Sequence, residues 1–211
     1  LGMSNSYVTS TNDVTSGYWN PAGLMGIESD LQLAGMHAEY FAGIAAYDYG
    51  AVGKRIDSTM AASISLIRFG VDDIPNTTDL IDANGNFDYD RISSFSAADY
   101  AFILSLAKKT KIPGLNAGVN AKIVYRKVGD FADAYGIGID LGFQYKKGNW
   151  DFALMARDIT TTITAWNVNL DDKTKETFEL TGNEIPSNST EATLPKLILG
   201  GARTFEFNKV S

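Results

Sequence analysis

His37 is the only histidine in the 211-residue chain, and the chain contains no cysteine. A serine–histidine nucleophile or a histidine metal site would therefore have to include His37. Thiol catalysis, disulfide bonds and cysteine zinc sites are excluded together. His37 lies in the first predicted strand, where no obvious acid or nucleophile is placed beside it. We therefore expect an interface or lumen residue, no catalytic residue and no enzyme.

An acidic stretch, 82–90, alternates oxygen-bearing side chains as a calcium loop does. The EF-hand template requires Gly at its sixth position and Glu at its twelfth, where this chain has Phe87 and Ser93. We therefore predict a solvated loop, with neither a metal site nor a cofactor.

A third group of polar residues alternates with apolar ones between 115 and 146. Its members are Asn116, Asn120, Lys122, Arg126, Asp140 and Gln144. Period two predicts β-strands with one apolar and one polar face. The polar residues could line a route for solute, but the pattern favours residues that hold a plug by hydrogen bonds and ion pairs.

Strand length and aromatic placement favour a transmembrane barrel over a soluble sandwich. Each alternating run has about 11 or 12 residues, enough to cross a bilayer at a tilt, whereas soluble strands usually have roughly five or six. Tyr125, Tyr135 and Tyr145 lie at the ends of the apolar faces, as in the aromatic girdles of membrane barrels. A mean hydropathy of −0.09 also suits a barrel with a polar interior. The sequence therefore predicts a protein that lies in the bacterial outer membrane and contacts its lipid.

The charge balance argues against nucleic acid as a partner. The net charge is −7, and the only cluster of basic residues is Lys108, Lys109 and Lys111. Phosphate binding requires a wider basic surface than this.

The chain divides into an N-terminal plug or hatch segment, 1–29, and a barrel, 30–211. In the first part Asp13 is placed to cap a short helix, and Asn20-Pro21 and Gly23 then predict a turn. Irregular backbone at membrane depth is tolerated only when it is covered by protein or lines a cavity. We therefore expect this segment inside the barrel or across its periplasmic mouth.

The barrel part predicts about eight strands, the last at Leu197–Phe207. Long loops are expected at Gly70–Phe95 and Thr160–Thr193, with the links after strands three, five and seven longer than those after strands two, four and six. An eight-stranded barrel would be filled by its own side chains, leaving no room for the first 29 residues. We therefore interpret the chain as the first part of a larger barrel.

Three motifs carry a resemblance: GMSNSYV at 2–8, NDVT at 12–15 and YWNPAGL at 18–24. With them the chain resembles the N-terminus of the PorV/PorQ family of outer-membrane proteins, which is related to the FadL fatty-acid transporters. The resemblance implies a barrel of 14 strands, with Trp19, Asn20, Pro21, Ala22 and Gly23 as the plug or hatch motif.

The PorV branch implies a non-enzymatic part in type IX secretion, in which the barrel partners a large translocon and hands over exported cargo. The FadL branch implies passive uptake of hydrophobic small molecules. The secretion reading predicts a plugged lumen and large acidic outer loops as a docking surface, and the transport reading predicts an apolar pocket in a polar lumen and a gap in the wall. An enzyme or a purely structural barrel is the third class.

Overall fold

The computed structural model describes residues 6–80 and 86–205. All of its strands belong to one antiparallel sheet, which curls into a half-barrel. The strands are β1 (Gln32–Tyr40), β2 (Ala45–Arg55), β3 (Met60–Asn76), β4 (Ser93–Lys109), β5 (Leu115–Val128), β6 (Ala132–Lys147), β7 (Trp150–Arg157), β8 (Thr162–Val168), β9 (Ser189–Thr193) and β10 (Lys196–Arg203). The expectation of an all-β antiparallel fold is confirmed.

Two of the strand positions across the half-barrel, here called lines, are each occupied by two successive strands. β7 pairs with one half of β6, and β8 pairs with the other half of the same strand. In the same way β10 pairs with β7, and β9 pairs with β8. Since β1 to β6 form one line each, the ten strands follow eight lines, which matches the predicted number of strands.

Both predicted long loops are shorter than expected. β3 continues to Asn76 and β4 begins at Ser93, which leaves 77–92 as the first loop. The prediction of one long loop at Thr160–Thr193 was wrong, because this stretch contains β8, helix α2 (Asp172–Leu180) and β9. β9 is polar at almost every position, so hydropathy could not reveal a strand that hydrogen bonding to β8 creates.

The expected alternation of short and long links holds only in part. The link after β5 is 129–131, which is as short as the links at the opposite end of the sheet. Only the links after β3 and β8 are long. The first of these, 77–92, carries a 3₁₀ helix at Tyr89–Arg91, and the second carries α2.

Residues 6–29, the N-terminal segment, contain the short helix α1 (Ser16–Trp19) between 3₁₀ helices at Ser6–Val8 and Pro21–Gly26. The prediction that Asp13 caps this helix was wrong, because the N-cap is Thr15 and Asp13 instead accepts hydrogen bonds from the backbone and hydroxyl of Thr15. Asn20 ends α1 as predicted, but Gly23 lies inside the second 3₁₀ helix instead of forming a turn. No helix in the described part of the chain is long and apolar enough to cross a membrane.

The N-terminal segment packs against one face of the sheet, here called the concave face. Its apolar side chains meet alanines of the strands, which leave room for them. The cluster consists of Val14, Leu24, Met25 and Ile27 from the segment and Ala51, Ala61 and Ala107 from β2, β3 and β4. A smaller cluster joins Val8 to Ala153 and Met155 of β7.

Candidate functional site

The two faces of the sheet invert the usual distribution of polar and apolar side chains. The concave face buries polar groups, including Ser63, Ser65, Ser105, Asn120 and Asp140. The opposite, convex face exposes large apolar side chains on every line, including Leu33, Val52, Ile64, Leu104, Ile123, Ile137, Phe152 and Leu199. Leu33 is 74% exposed and Ile137 is 71% exposed. Contiguous exposed apolar area of this kind marks a surface that contacts lipid or protein.

Asn20 is the polar centre of the contact between the N-terminal segment and the sheet. Its side chain is fully buried. Nδ2 donates to the carbonyl oxygens of Val8 at 3.2 Å and of Phe143, in β6, at 3.1 Å. Oδ1 accepts from the backbone N–H of Ala22 at 3.2 Å and so caps the 3₁₀ helix that follows. One amide thus fixes two turns of the segment onto β6.

The rest of the WNPAGL motif packs around this amide. Pro21, Ala22 and Gly23 are buried, and Trp19 makes edge contacts with the rings of Tyr7 and Tyr18. A methyl group on Gly23 would lie 2.4 Å from the carbonyl oxygen of Thr11, so only glycine fits there.

Two strand glycines allow the backbone of the segment to approach the sheet. A Cβ added to Gly142 would lie 2.1 Å from Asn20 Oδ1, and one added to Gly118 would lie 2.4 Å from the backbone of Pro21 and Ala22. Both glycines face the concave side, whereas the apolar residues that alternate with them along β5 and β6 face the convex side. Their absent side chains form the seat for the Asn20-Pro21 turn.

We predict that Gly142→Ala will displace the N-terminal segment, whereas Gly35→Ala will not. The added methyl group at Gly142 overlaps Asn20, and overpacking of this kind costs about 1–3 kcal/mol. Gly35 is the matched control, because it is also a strand glycine and has nothing within 4 Å of the added Cβ. Limited proteolysis of the segment measures the effect. Equal cleavage rates in the two variants would contradict this prediction.

Four further side chains of the sheet donate to carbonyl oxygens of the segment. Gln144 Nε2 donates to Val8, Thr9 and Thr11 at 3.2, 3.3 and 3.0 Å. Asn120 Nδ2 donates to Gly17 at 2.9 Å, and Arg157 Nη2 donates to Tyr18 at 2.8 Å. The Arg157 guanidinium also stacks on the Tyr18 ring at 4.7 Å. From the first strands, Arg55 donates to Met25 and Gln32 accepts from the Val14 N–H.

Next to Asn120 lies an ionic cluster that is almost closed to solvent. Lys122 Nζ lies 2.7 Å from Asp140 Oδ1 and 2.6 Å from Asp158 Oδ1. The side chains of these three residues are 13%, 4% and 16% exposed. Asp140 also accepts from Asn120 Nδ2 at 3.0 Å and from the Asp158 N–H at 2.9 Å, while Thr162 donates to Asp158. One cation thus holds two carboxylates together.

A second ion-paired layer crosses the concave face nearer to the long loops. Arg126 donates to Asp99 at 2.9 Å and to Glu191 at 2.9 Å, and it stacks on the Trp166 ring at 4.9 Å. Trp166 Nε1 donates to the same Glu191 carboxylate at 3.2 Å. This layer joins β4 and β5 to β8 and β9 across β6.

Beyond this layer, an apolar cavity of about 410 Å³ lies between the two long loops. Its lining includes Phe95, Val128, Phe131, Val168, Leu170 and Phe178. No lysine, arginine or histidine of the described chain lines it. Thr174 and Phe178 of α2 close one side, and an ion pair between Lys173 and Asp79 ties α2 to the first long loop.

The start of α2 will respond to pH. Hydrogen bonds from the side chain and backbone of Thr174 lower the pKa of Asp171 below its ordinary value. Because the folded pKa is depressed, the stabilisation is complete above the unfolded pKa and disappears as the pH falls through the folded pKa. We expect the amide chemical shift of Thr174 to titrate with Asp171 in an NMR pH series, and Asp171→Asn to abolish that titration. A Thr174 shift that titrates unchanged in Asp171→Asn would contradict the assignment.

The six polar residues that alternation places on one face of β5 and β6 all lie on the concave face, but they make different contacts. Asn120 and Gln144 hold the segment, Lys122 and Asp140 form the ionic cluster, and Arg126 belongs to the separate layer above. Asn116 lies beside Gln144 at a cavity of about 300 Å³ that the segment also lines. Each residue follows from period two, because alternate residues of paired strands share a face.

Other residues of the site were not singled out from the sequence. Arg157 lies on the face of β7 opposite Trp150 and Phe152, so the alternation along β7 could have indicated its position. Asp158 lies after the end of β7, and no sequence pattern indicates it. Gly118 and Gly142 are visible as glycines in alternating strands, but their partner segment is distant in sequence.

The other residues singled out for their possible chemistry lie apart from the contact between the segment and the sheet. His37 lies on the convex face of β1 and not on the concave face, and its Nδ1 lies 2.6 Å from Asp48 Oδ1. The sequence missed this acid because it is a cross-strand partner. The acidic stretch 82–90 lies in part outside the described residues. Among the described residues no group of three or more His, Asp or Glu side chains is placed to hold a metal ion.

Searches with this chain matched no protein-family model, no curated protein and no solved structure.

Proposed function

We propose that this chain belongs to an outer-membrane β-barrel whose N-terminal segment, 1–29, acts as a plug for the barrel part, 30–211. The observation that carries this proposal is the inverted sheet, which buries Asn120 and Asp140 on the face where Asn20 of the segment is also buried, and exposes Ile137 and Leu199 outward. A soluble protein would have to cover that convex face with a second layer. In a bilayer, lipid covers it and the polar face lies inside.

The height of the apolar surface supports the same proposal. On β6 the convex face runs from Tyr135 to Tyr145, a span of about 33 Å at ~3.3 Å per residue. A strand tilt of about 40° reduces this to roughly 25 Å, which is the height of the apolar band in membrane barrels. The rings of Tyr125 and Tyr135 lie 4.7 Å apart at one end, and Trp150 stacks on Phe152 near the other.

For the role of the barrel we propose the PorV/PorQ type: a non-enzymatic component of type IX secretion that binds a translocon and exported cargo. Two observations support it. The WNPAGL motif supplies the buried amide at the centre of the plug contact. The two long loops meet at one end of the sheet, where the Lys173–Asp79 pair joins them around an apolar cavity. A joined apolar and acidic surface suits a docking site for protein.

The apolar cavity also supports a second candidate, FadL-type uptake of hydrophobic small molecules. Its volume of about 410 Å³ lies within the usual range for ligand sites. A ligand that moved from this cavity to the N-terminal segment would have to pass the Arg126 layer and the Lys122 cluster. Both are ion-paired, which favours a cavity used for docking over one used for passage.

Purification from outer membranes in mild detergent separates the candidates. The secretion proposal expects a large outer-membrane protein and secreted cargo to co-purify with the chain, and it expects a variant lacking 77–92 to lose them. The transport candidate expects bound lipid or other hydrophobic molecules and no protein partner. Recovery of the chain in the soluble fraction without detergent would overturn the membrane proposal itself.

A further inference from the structure

The seventh line of the sheet, which β7 and β8 form together, is interrupted between these two strands. Between the pairs Leu141 with Ala156 and Ile137 with Ile163, β6 advances four residues (141 − 137) while the seventh line advances seven (163 − 156). The additional residues leave the ladder as a bulge at 158–161. The Ile159 N–H still donates to the Ile139 carbonyl oxygen at 2.9 Å.

The backbone of this bulge is strained. Asp158 and Thr161 have φ angles of 53° and 58°, in the left-handed region. For a β-branched residue such as Thr161 this conformation is a genuine outlier. Strained residues of this kind persist only when surrounding contacts hold them.

The contacts that hold the bulge are linked to some of the contacts that hold the N-terminal segment. Asp158 is fixed by Lys122 and, through its N–H, by Asp140. Asp140 is bound by Asn120, whose same Nδ2 donates to Gly17 of the segment. One residue earlier, Arg157 binds the carbonyl oxygen and the ring of Tyr18. Arg157 thus contacts Tyr18 of the segment directly, and Asp158 is linked to Gly17 through Asp140 and Asn120.

We propose that the 158–161 bulge and the N-terminal segment form one coupled element, so that release of either loosens the other. In this coupling Arg157, Asp158 and Asn120 hold the bulge and the segment in position relative to each other. Because coupling free energies are reciprocal, a change made in the bulge must be felt at the segment by the same factor as the reverse. The inference does not depend on which function the barrel serves.

The test uses a single reporter thiol, since the chain has no cysteine. Ser16 is fully buried in the segment, so a Ser16→Cys thiol reacts with a maleimide only when the segment moves. In that background we expect Asp158→Ala to raise the labelling rate about fivefold or more, the lower end of usual coupling. Asn120→Ala should raise the exchange rate of the Ile159 amide by a similar factor.

Asp73 supplies the matched control. It also has a left-handed φ, 56°, at a second bulge in the register of β3 with β4. Asp73→Ala should leave the labelling of Ser16→Cys unchanged. A rate for Asp158→Ala within twofold of the rate for Asp73→Ala would overturn the coupling.

A variant of opposite sign keeps the test decisive if Asp158→Ala fails to fold. Thr161→Gly retains the contacts of Asp158 and removes the steric cost of the left-handed conformation. It should stabilise the bulge and slow the labelling of Ser16→Cys, whereas Asp73→Gly should not. Labelling that is unchanged or faster in Thr161→Gly would overturn the proposal.

Discussion

Replacing Lys122 by Met will lower the free energy of unfolding by about 3–5 kcal/mol, the usual cost of removing one partner from a buried ion pair. Lys122 is the cation between Asp140 and Asp158, at 2.7 and 2.6 Å. Without it, two nearly buried carboxylates face each other with no compensating charge. Methionine has a similar length and fills the space, so the effect isolates the charge. Denaturant unfolding in detergent micelles, followed by tryptophan fluorescence, measures the loss.

A second substitution tests whether charge is the cause. Lys122→Met combined with Asp158→Asn leaves one carboxylate, and Asp140 keeps its hydrogen bonds from Asn120 and from the backbone of residue 158. We expect this double variant to recover at least half of the lost stability. Lys54→Met, at an exposed position of β2, is the control and should change stability little. A double variant no more stable than Lys122→Met alone would contradict the electrostatic explanation.

The strands of the sheet could be predicted because period two is a local signal. β5 and β6 alternate along almost their whole length, and the structure pairs them in register from Leu115 with Tyr145 to Val128 with Ala132. The concave positions of Asn120, Asp140 and Gln144 followed from the same alternation. Sequence spacing determines on which face of the sheet a side chain lies, so that part of the site could be predicted.

The partners of those side chains were not accessible from spacing. Asn120 binds Gly17, 103 residues away, and Gln144 binds Val8, 136 residues away. Such contacts depend on where the N-terminal segment lies on the sheet, and no local pattern encodes that. The same reason explains Asp158, whose position depends on a register change between β7 and β8. β9 was missed because hydrogen bonding to β8, and not its own polarity, makes it a strand.

The second large effect is expected at Asn20, where Asp is nearly the same size but cannot donate. Asn20→Asp removes the hydrogen bonds to the carbonyl oxygens of Val8 and Phe143 and places a carboxylate oxygen beside both acceptors. Each buried polar group left unpaired costs about 1–3 kcal/mol, so we expect a loss of about 3 kcal/mol. Because Oδ1 can still accept from Ala22, the 3₁₀ helix keeps its cap. The loss should therefore concentrate in the contact with β6.

Limited proteolysis within 6–29 reports on that contact directly, since a segment released from β6 becomes a substrate while the sheet remains protected. Asn12→Asp makes the same chemical change at an exposed position of the same segment and should leave cleavage unchanged. Gln144 would continue to bind Val8, Thr9 and Thr11 in Asn20→Asp, so the segment should detach first around 18–24 and later at 8–11. Cleavage of Asn20→Asp at the rate of Asn12→Asp would mean that Asn20 does not hold the segment.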